Sequence, residues 1–446
     1  MSLGWTALPA ASILAAPVGF FRGFCSRHRT IMIAAEEAAR PPGKRSRLPT
    51  AVYALGLTSL LNDAASDMIY PLLPLFLAST IGAGAAALGV IEGAAELMAS
   101  LLKLVSGQLS DRLGRRKPFV VGGYLVASLV RPFLALAGSA ATVLVIRVVD
   151  RFGKGLRSSP RDALIADVVD PRDRGRAFGV HEAMDHAGAV VGPLAAAGLI
   201  ALGWTLPAVF IVSTVPALLA CLVVGFWVQE PSPSASRTLV AAPALAPGSA
   251  SAPVATSALA PPRLLSRPFV GYLIAVAIFS LGGSADAFLL MRAHELGLAS
   301  AAVPLLWAFH NGLKALATSH GGALADRFGR RRALAVGWVV YALVYAGFAR
   351  ATSLTTVIAL FALYAVHYAL GAGAQKALVA DLVPALARAR GYSVYHVCVG
   401  LMLLPASVLF GLVYQRGGAN LAFGLGAALA LLATALLPLS RLPRSG

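Results

Sequence analysis

The chain has 446 residues, of which 58% are hydrophobic and 13% charged, with a net charge of +18 and a mean hydropathy of +0.76. A water-soluble domain carries about 25% charged residues, so this balance excludes an ordinary soluble fold and, with it, a nucleic-acid-binding reading of the positive charge. Cys25, Cys221 and Cys398 are too few and too scattered for a disulfide framework or a metal centre.

In chain order, residues 1–48 read as a cytoplasmic tail. Its apolar stretch at 3–21 is broken by Pro9 and Pro17, and the basic cluster at 22–29 follows it, which reverses the charge order of a signal peptide. Met32 is a candidate alternative start. Apolar runs of about 20 residues come next, the length that crosses a hydrocarbon layer about 30 Å thick. They predict spans near 50–79, 86–108, 118–138, 141–168, 175–201 and 206–228. Residues 229–266, rich in Pro, Ala and Ser, predict a flexible cytoplasmic linker. Further spans are predicted near 268–291, 299–322, 333–350, 354–382, 391–414 and 419–440, and 441–446 is a short cytoplasmic tail. The predicted fold is therefore an all-α membrane protein of twelve transmembrane helices, in two six-helix bundles at 49–228 and 267–440.

Lys and Arg concentrate in the two termini and in the turns after even-numbered spans, while the alternate turns carry only Arg292, Arg350 and Arg416. That asymmetry predicts cytoplasmic termini. The basicity thus serves orientation and attraction to anionic lipid.

Charges inside a span are costly, so they pair with one another or line an aqueous passage. Span one carries Asp63 and Asp67, and span two carries Glu92 and Glu96 on one helical stripe with Lys103. Span four carries Arg147, Asp150 and Arg151. Span five opens on His181, Glu182, Asp185 and His186, two i, i+4 pairs able to relay protons or ligate a metal. Span seven offers Asp286 and span eight His310. Asp63, Asp67, Glu92, Glu96, Arg147, Asp150, Glu182, Asp185, His186, Asp286 and His310 are the candidates for proton coupling and for the substrate cavity. Structural Glu96–Lys103 and Arg147–Asp150 pairs are the competing readings for two of these groups.

A short cationic stretch, GxxxDRxGRR, joins spans two and three through Gly107, Asp111, Arg112, Gly114, Arg115 and Arg116. It recurs in the second half as Gly322, Asp326, Arg327, Gly329, Arg330 and Arg331. The glycines allow close helix approach, and the aspartates are expected to face a helix N-terminus of the other half. Residues 163–167 and 377–381 also correspond, and six spans per half make the repeat parallel, about a pseudo-twofold axis along the membrane normal. Gly188, Gly192 and Pro193 predict close packing and a bend in span five. With Arg151, these groups are the candidates for gating.

These motifs resemble those of the major facilitator superfamily over residues 50–440. The repeated GxxxDRxGRR is similar to its signature turn, 147–155 to its span-four signature, and Gly179, Gly188, Gly192 and Pro193 to its antiporter signature, with Ala196 and Ala197 where that signature has its last glycines. The resemblance implies alternating access and a link between Arg147 and proton transfer. It implies a proton-coupled efflux antiporter of small organic molecules. The Ala/Arg-rich composition points to a GC-rich bacterium and so to an inner membrane, and a monomer with no resident cofactor or metal is expected. A proton symporter importing a nutrient, and an exporter of a metal or metal chelate, stay open. No nucleophile–base pair or nucleotide loop stands in the sequence, so no enzyme is expected.

Overall fold

The computed structural model describes residues 47–169, 173–230, 265–384 and 388–440, without the side chains of residues 175, 318–328, 372 and 388–390. Most of the expected N-terminal tail, the linker, the C-terminal tail and the side chains at Gly322, Asp326 and Arg327 lie outside the described residues.

Every element is helical among the described residues. The first six are α1 (Thr50–Ile69), α2 (Ala85–Leu113), α3 (Lys117–Val130), α4 (Ala140–Val168), α5 (Arg174–Ala201) and α6 (Leu206–Val212). They continue through α7 (Thr214–Trp227), α8 (Arg267–Leu281), α9 (Ala287–Glu295), α10 (Val303–Phe328), α11 (Arg330–Arg350), α12 (Leu354–Leu382) and α13 (Arg388–Leu436). Among the described residues, eight helical stretches are long and apolar enough to cross a membrane. Neither α4 nor α10 is among them. In α4 the reason is legible: Arg147, Asp150, Arg151, Lys154 and Arg157 crowd the helix with charge.

Local chemistry sets the ends. Ser139 and Ser353 cap α4 and α12 by accepting the amides of Thr142 and Thr356 at 3.2 and 3.3 Å, so the same Ser-x-x-Thr cap opens corresponding helices of the two halves. Pro71 and Pro74 interrupt the regular helix after Ile69, and the chain reaches Ile81 through short 3-10, α and π turns. The expected turn at 107–117 is mostly helix: α2 runs to Leu113 and stops where Gly114 takes φ +62°, a left-handed cap that a side chain disfavours. The expected continuous span at 268–291 is broken between Leu281 and Ala287, where Gly282, Gly283 and Ser284 weaken helix propensity. Within α13, Gly418 at φ +75° breaks the helix where the sequence separates its last two spans.

Apolar side chains gain little by leaving lipid for one another, so packing between small residues holds such helices together. Gly188 and Gly192 lie against the carbonyls of Leu60 and Ala64, fitting α5 to α1. Gly89 and Gly93 likewise face Ser407 and Leu404, fitting α2 to α13. Pro193 cannot donate to the carbonyl of Ala189, and Asn311 Nδ2 of α10 donates to that carbonyl at 3.4 Å. A Cβ at Gly192 meets backbone, which cannot yield. Gly192→Val is expected to lower the unfolding free energy of the detergent-solubilised protein by about 1–3 kcal/mol. Gly198→Ala, where nothing lies within 4 Å, is expected to leave the thermal midpoint in place.

Candidate functional site

The charged faces of α1, α2, α4 and α5 meet Asp286, at the start of α9, and helices α10, α12 and α13 around a cavity of about 750 Å³. Its floor holds Tyr70, Asp67, Trp307 and Asp286, and its walls run to the exposed Asp162 and Lys376 at the end of the molecule that carries the basic turns. A second chamber of about 450 Å³ adjoins it and shares Tyr70, Glu96 and Asp286. Beyond the floor the helices close on one another. Tyr70 and Trp307 rings lie 5.2 Å apart, Tyr70 accepts the amide of Ala287 at 3.2 Å, and Gln415 accepts that of Ala86 at 3.1 Å.

The first-half wall is ionic. Asp63 and Asp185 both line the large cavity, and their carboxyl groups are within hydrogen-bonding reach of each other. Asp185 also accepts from Ser59 Oγ, which accepts from Arg161 at 3.1 Å, and Asn62 Nδ2 donates to Asp63 at 2.9 Å. Two carboxylates have no hydrogen to share, so the contact holds only while one of them carries a proton. Asp67 accepts from Trp307 Nε1 at 2.9 Å, which ties α1 to α10 at the floor. Glu96 faces the cavity 3.4 Å from Arg151, not paired with Lys103.

Behind this wall lies a buried network. Arg147 donates to Glu92 at 2.7 and 3.1 Å and reaches Asp150 at 3.5 Å, and Arg131 donates to Asp150 at 2.9 Å and to the Asn62 carbonyl at 3.4 Å. All four charged residues are 2–3% exposed. Each carboxylate has a guanidinium partner, which makes burying these charges tolerable.

The second-half wall is aromatic. Asp286 accepts from Tyr364 at 2.9 Å and Tyr368 at 3.2 Å, and Phe279, Tyr341 and His367 complete that side of the smaller chamber.

The structure thus brings Asp63, Asp67, Glu96, Asp185 and Asp286 to the large cavity and Glu92 to the smaller one. Arg147 and Asp150 stand behind the wall, held by the network. His310 stands apart from both chambers: it is fully buried among Phe361, Tyr364 and Trp307 and bonds the Phe361 carbonyl at 3.1 Å. Glu182 and His186 also stand apart from them. One helical turn places His181 and Asp185 on the inner side of α5, while Glu182 is exposed and neither it nor His186 lines a chamber.

At the basic end, the partner of Asp111 among the described residues is in its own turn. Asp111 is 66% exposed at its side chain and lies 3.4 Å from Arg116 of that turn. Arg116 also pairs with Asp167 at 3.1 Å, and Arg330 with Asp381 at 2.7 Å, so each signature turn is tied to the aspartate near the end of α4 or α12 in its own half. Arg112 and Arg115 are exposed. Gly107 lies against Ser159 of α4, and Gly329, at φ +87°, precedes α11.

Sequence reasoning missed Arg131, Ser59, Trp307 and the tyrosines. An arginine inside an apolar run was a signal for the first, and tyrosines four residues apart at 341/345 and 364/368 for the aromatic wall.

A profile described as Major Facilitator Superfamily matches residues 55–310 and 273–446. An uncharacterised MFS-type transporter of Methanocaldococcus jannaschii is 32% identical over 393 residues, 86% of this chain and 94% of that one. Multidrug resistance protein MdtH of Cronobacter sakazakii is 30% identical over 174 residues, 39% of this chain and 42% of its own. A bacterial homolog of the human lysosomal transporter Spinster, inward-facing and unoccupied, has a TM-score of 0.63 at 19% identity, covering 88% of this chain and 95% of that one. Peptide transporter POT has a TM-score of 0.70 at 14% identity, covering 87% and 94%. At these identities the two solved structures establish likeness of fold alone.

Proposed function

Since the chain belongs to the major facilitator superfamily of membrane transporters, we propose that it is a proton-coupled antiporter that exports small organic molecules. Twelve spans form two six-helix bundles about a pseudo-twofold axis, 49–228 and 267–440, joined by the linker at 229–266. They sit in an inner membrane with both termini cytoplasmic, and one chain is the working unit. The positive-inside rule supports that orientation, and it makes the basic end, towards which the cavity extends, the cytoplasmic one.

One observation carries the proton coupling: the Asp63–Asp185 contact in the cavity wall, which needs a shared proton. Protonation and substrate occupancy then compete for one state. A proton entering from the far side neutralises one of the two carboxylates and lets the pair share it, and its loss to the cytoplasm leaves two carboxylates that repel until α1 and α5 shift. The glycine-mediated fit of α5 to α1 puts that strain on a helix that also meets α10 of the other bundle through Asn311. The arginine-to-aspartate ties at the signature turns keep each bundle rigid as it rocks. Export is supported by the antiporter-like glycines and by the partial similarity to MdtH. The metal reading loses its motif, because Glu182 and His186 stand away from Asp185's cavity.

The test is transport in inverted membrane vesicles with an imposed pH gradient, acid inside, across a panel of organic ligands. Gradient-dependent accumulation of a ligand is expected. Uptake indifferent to the gradient for every ligand removes the coupling.

A further inference from the structure

The smaller chamber has a chemistry of its own. Its 450 Å³ falls within the usual range of small-molecule sites. Aromatic groups line its second-half side: Phe279, Tyr341, Tyr364, His367 and Tyr368. Three carboxylates reach it, and two are already neutralised, Glu92 by Arg147 at 2.7 Å and Glu96 by Arg151 at 3.4 Å. Asp286 is different. Its two oxygens accept from two phenols, and among the described residues it has no ion-pair partner. Two hydroxyl donors stabilise a carboxylate as an anion without cancelling its charge. No lysine or arginine is among the described residues that line this chamber.

A negative centre held behind aromatic faces selects for positive charge, because ring faces also carry the negative end of their quadrupole. The fold already shows the preference: Lys314 Nζ, on the side of the larger cavity, lies 4.8 Å from the Tyr368 ring centroid. A bare metal ion fits poorly. It needs several oxygen or nitrogen ligands, and no cluster of three His, Cys, Asp or Glu side chains stands among the described residues. An organic cation needs only the field and the rings.

We propose that this chamber binds a lipophilic organic cation, its charge in the field of Asp286 and its apolar body against the aromatic lining. The inference names the substrate class of the transporter proposed above, and so rests on that reading. It is tested by binding, with no gradient present, so that failed proton coupling leaves it untouched.

The full chain in lipid nanodiscs is titrated with three probes of similar shape: tetraphenylphosphonium, tetraphenylborate and neutral triphenylphosphine oxide. Phosphonium is expected to bind about tenfold or more tighter than borate, the factor that 1.4 kcal/mol of charge discrimination produces. Asp286→Asn is expected to erase that preference while leaving binding of the neutral probe and the thermal midpoint unchanged, and Asp286→Glu to restore part of it. Equal or reversed affinity for the two ions overturns the proposal, as does an Asp286→Asn protein that keeps the preference. Should Asp286→Asn not fold, the three probes on the unsubstituted chain decide alone. Phosphonium that binds with the predicted preference but is never moved overturns the transport reading and leaves the site standing.

Discussion

Asp185→Asn is expected to uncouple transport from the pH gradient. A gradient of one pH unit supplies about 1.4 kcal/mol per proton, about tenfold in the substrate concentration ratio. The unsubstituted chain in inverted vesicles, acid inside, should therefore reach about a tenfold accumulation per exchanged proton and pH unit. The variant should equilibrate substrate and stop at a ratio near one. The reason is the geometry of the wall: Asp185 meets Asp63 from α1 and Ser59 above it, with Arg161 behind the serine. An amide in place of either carboxyl makes that contact without any proton from solution, so the site no longer reports the gradient. Asp63→Asn is expected to behave alike, because the proton belongs to the pair. Asp67→Asn, whose carboxyl is occupied by Trp307, should keep accumulation. Gradient-driven accumulation in either pair variant would defeat the assignment, and the same measurement read in substrate counterflow checks that the carrier still cycles.

How much of this was legible beforehand depends on the range of the interaction. The helices were: runs of about 20 apolar residues have few alternatives, and Ser-x-x-Thr caps act over three residues. The doubled GxxxDRxGRR and the acids inside spans announced both the family resemblance and the cavity. Partners were not legible. Glu92 and Arg147 lie 55 positions apart in the chain, and nothing local says that Arg147 serves Glu92 more closely than its neighbour Asp150. Span five misled for a related reason. Its four polar residues in six were counted as two equivalent pairs, yet a helix shows only one stripe inward, and the inward stripe is fixed by Gly188 and Gly192 meeting α1. The place of His310 was not legible because a polar side chain in a span has two legal homes, a wet cavity or a carbonyl in the core. The Phe361 carbonyl that claims it comes from α12, beyond the reach of any periodicity argument.

The buried network makes the second large prediction, and it concerns stability before transport. Arg147→Ala removes the one cationic partner that Glu92 has among the described residues, whereas Asp150 keeps Arg131 at 2.9 Å. Removing one member of a buried pair costs about 3–5 kcal/mol, chiefly because the other charge is stranded without water. Arg147→Ala should therefore lower the unfolding free energy of the purified protein by about that amount, with transport falling in step with the folded fraction. The stranded group is Glu92, so the second-site change that matters is specific. Arg147→Ala with Glu92→Gln should recover most of the loss, since a neutral amide tolerates the site. Arg147→Ala with Asp150→Asn should recover none and lose more, because it strands Arg131 as well. Thermal unfolding of the four proteins in one detergent separates the cases. Rescue by Asp150→Asn in place of Glu92→Gln would reverse the assignment of partners within the network. A double variant that is stable yet inactive would show that Arg147 contributes to the transport cycle beyond holding Glu92 in place.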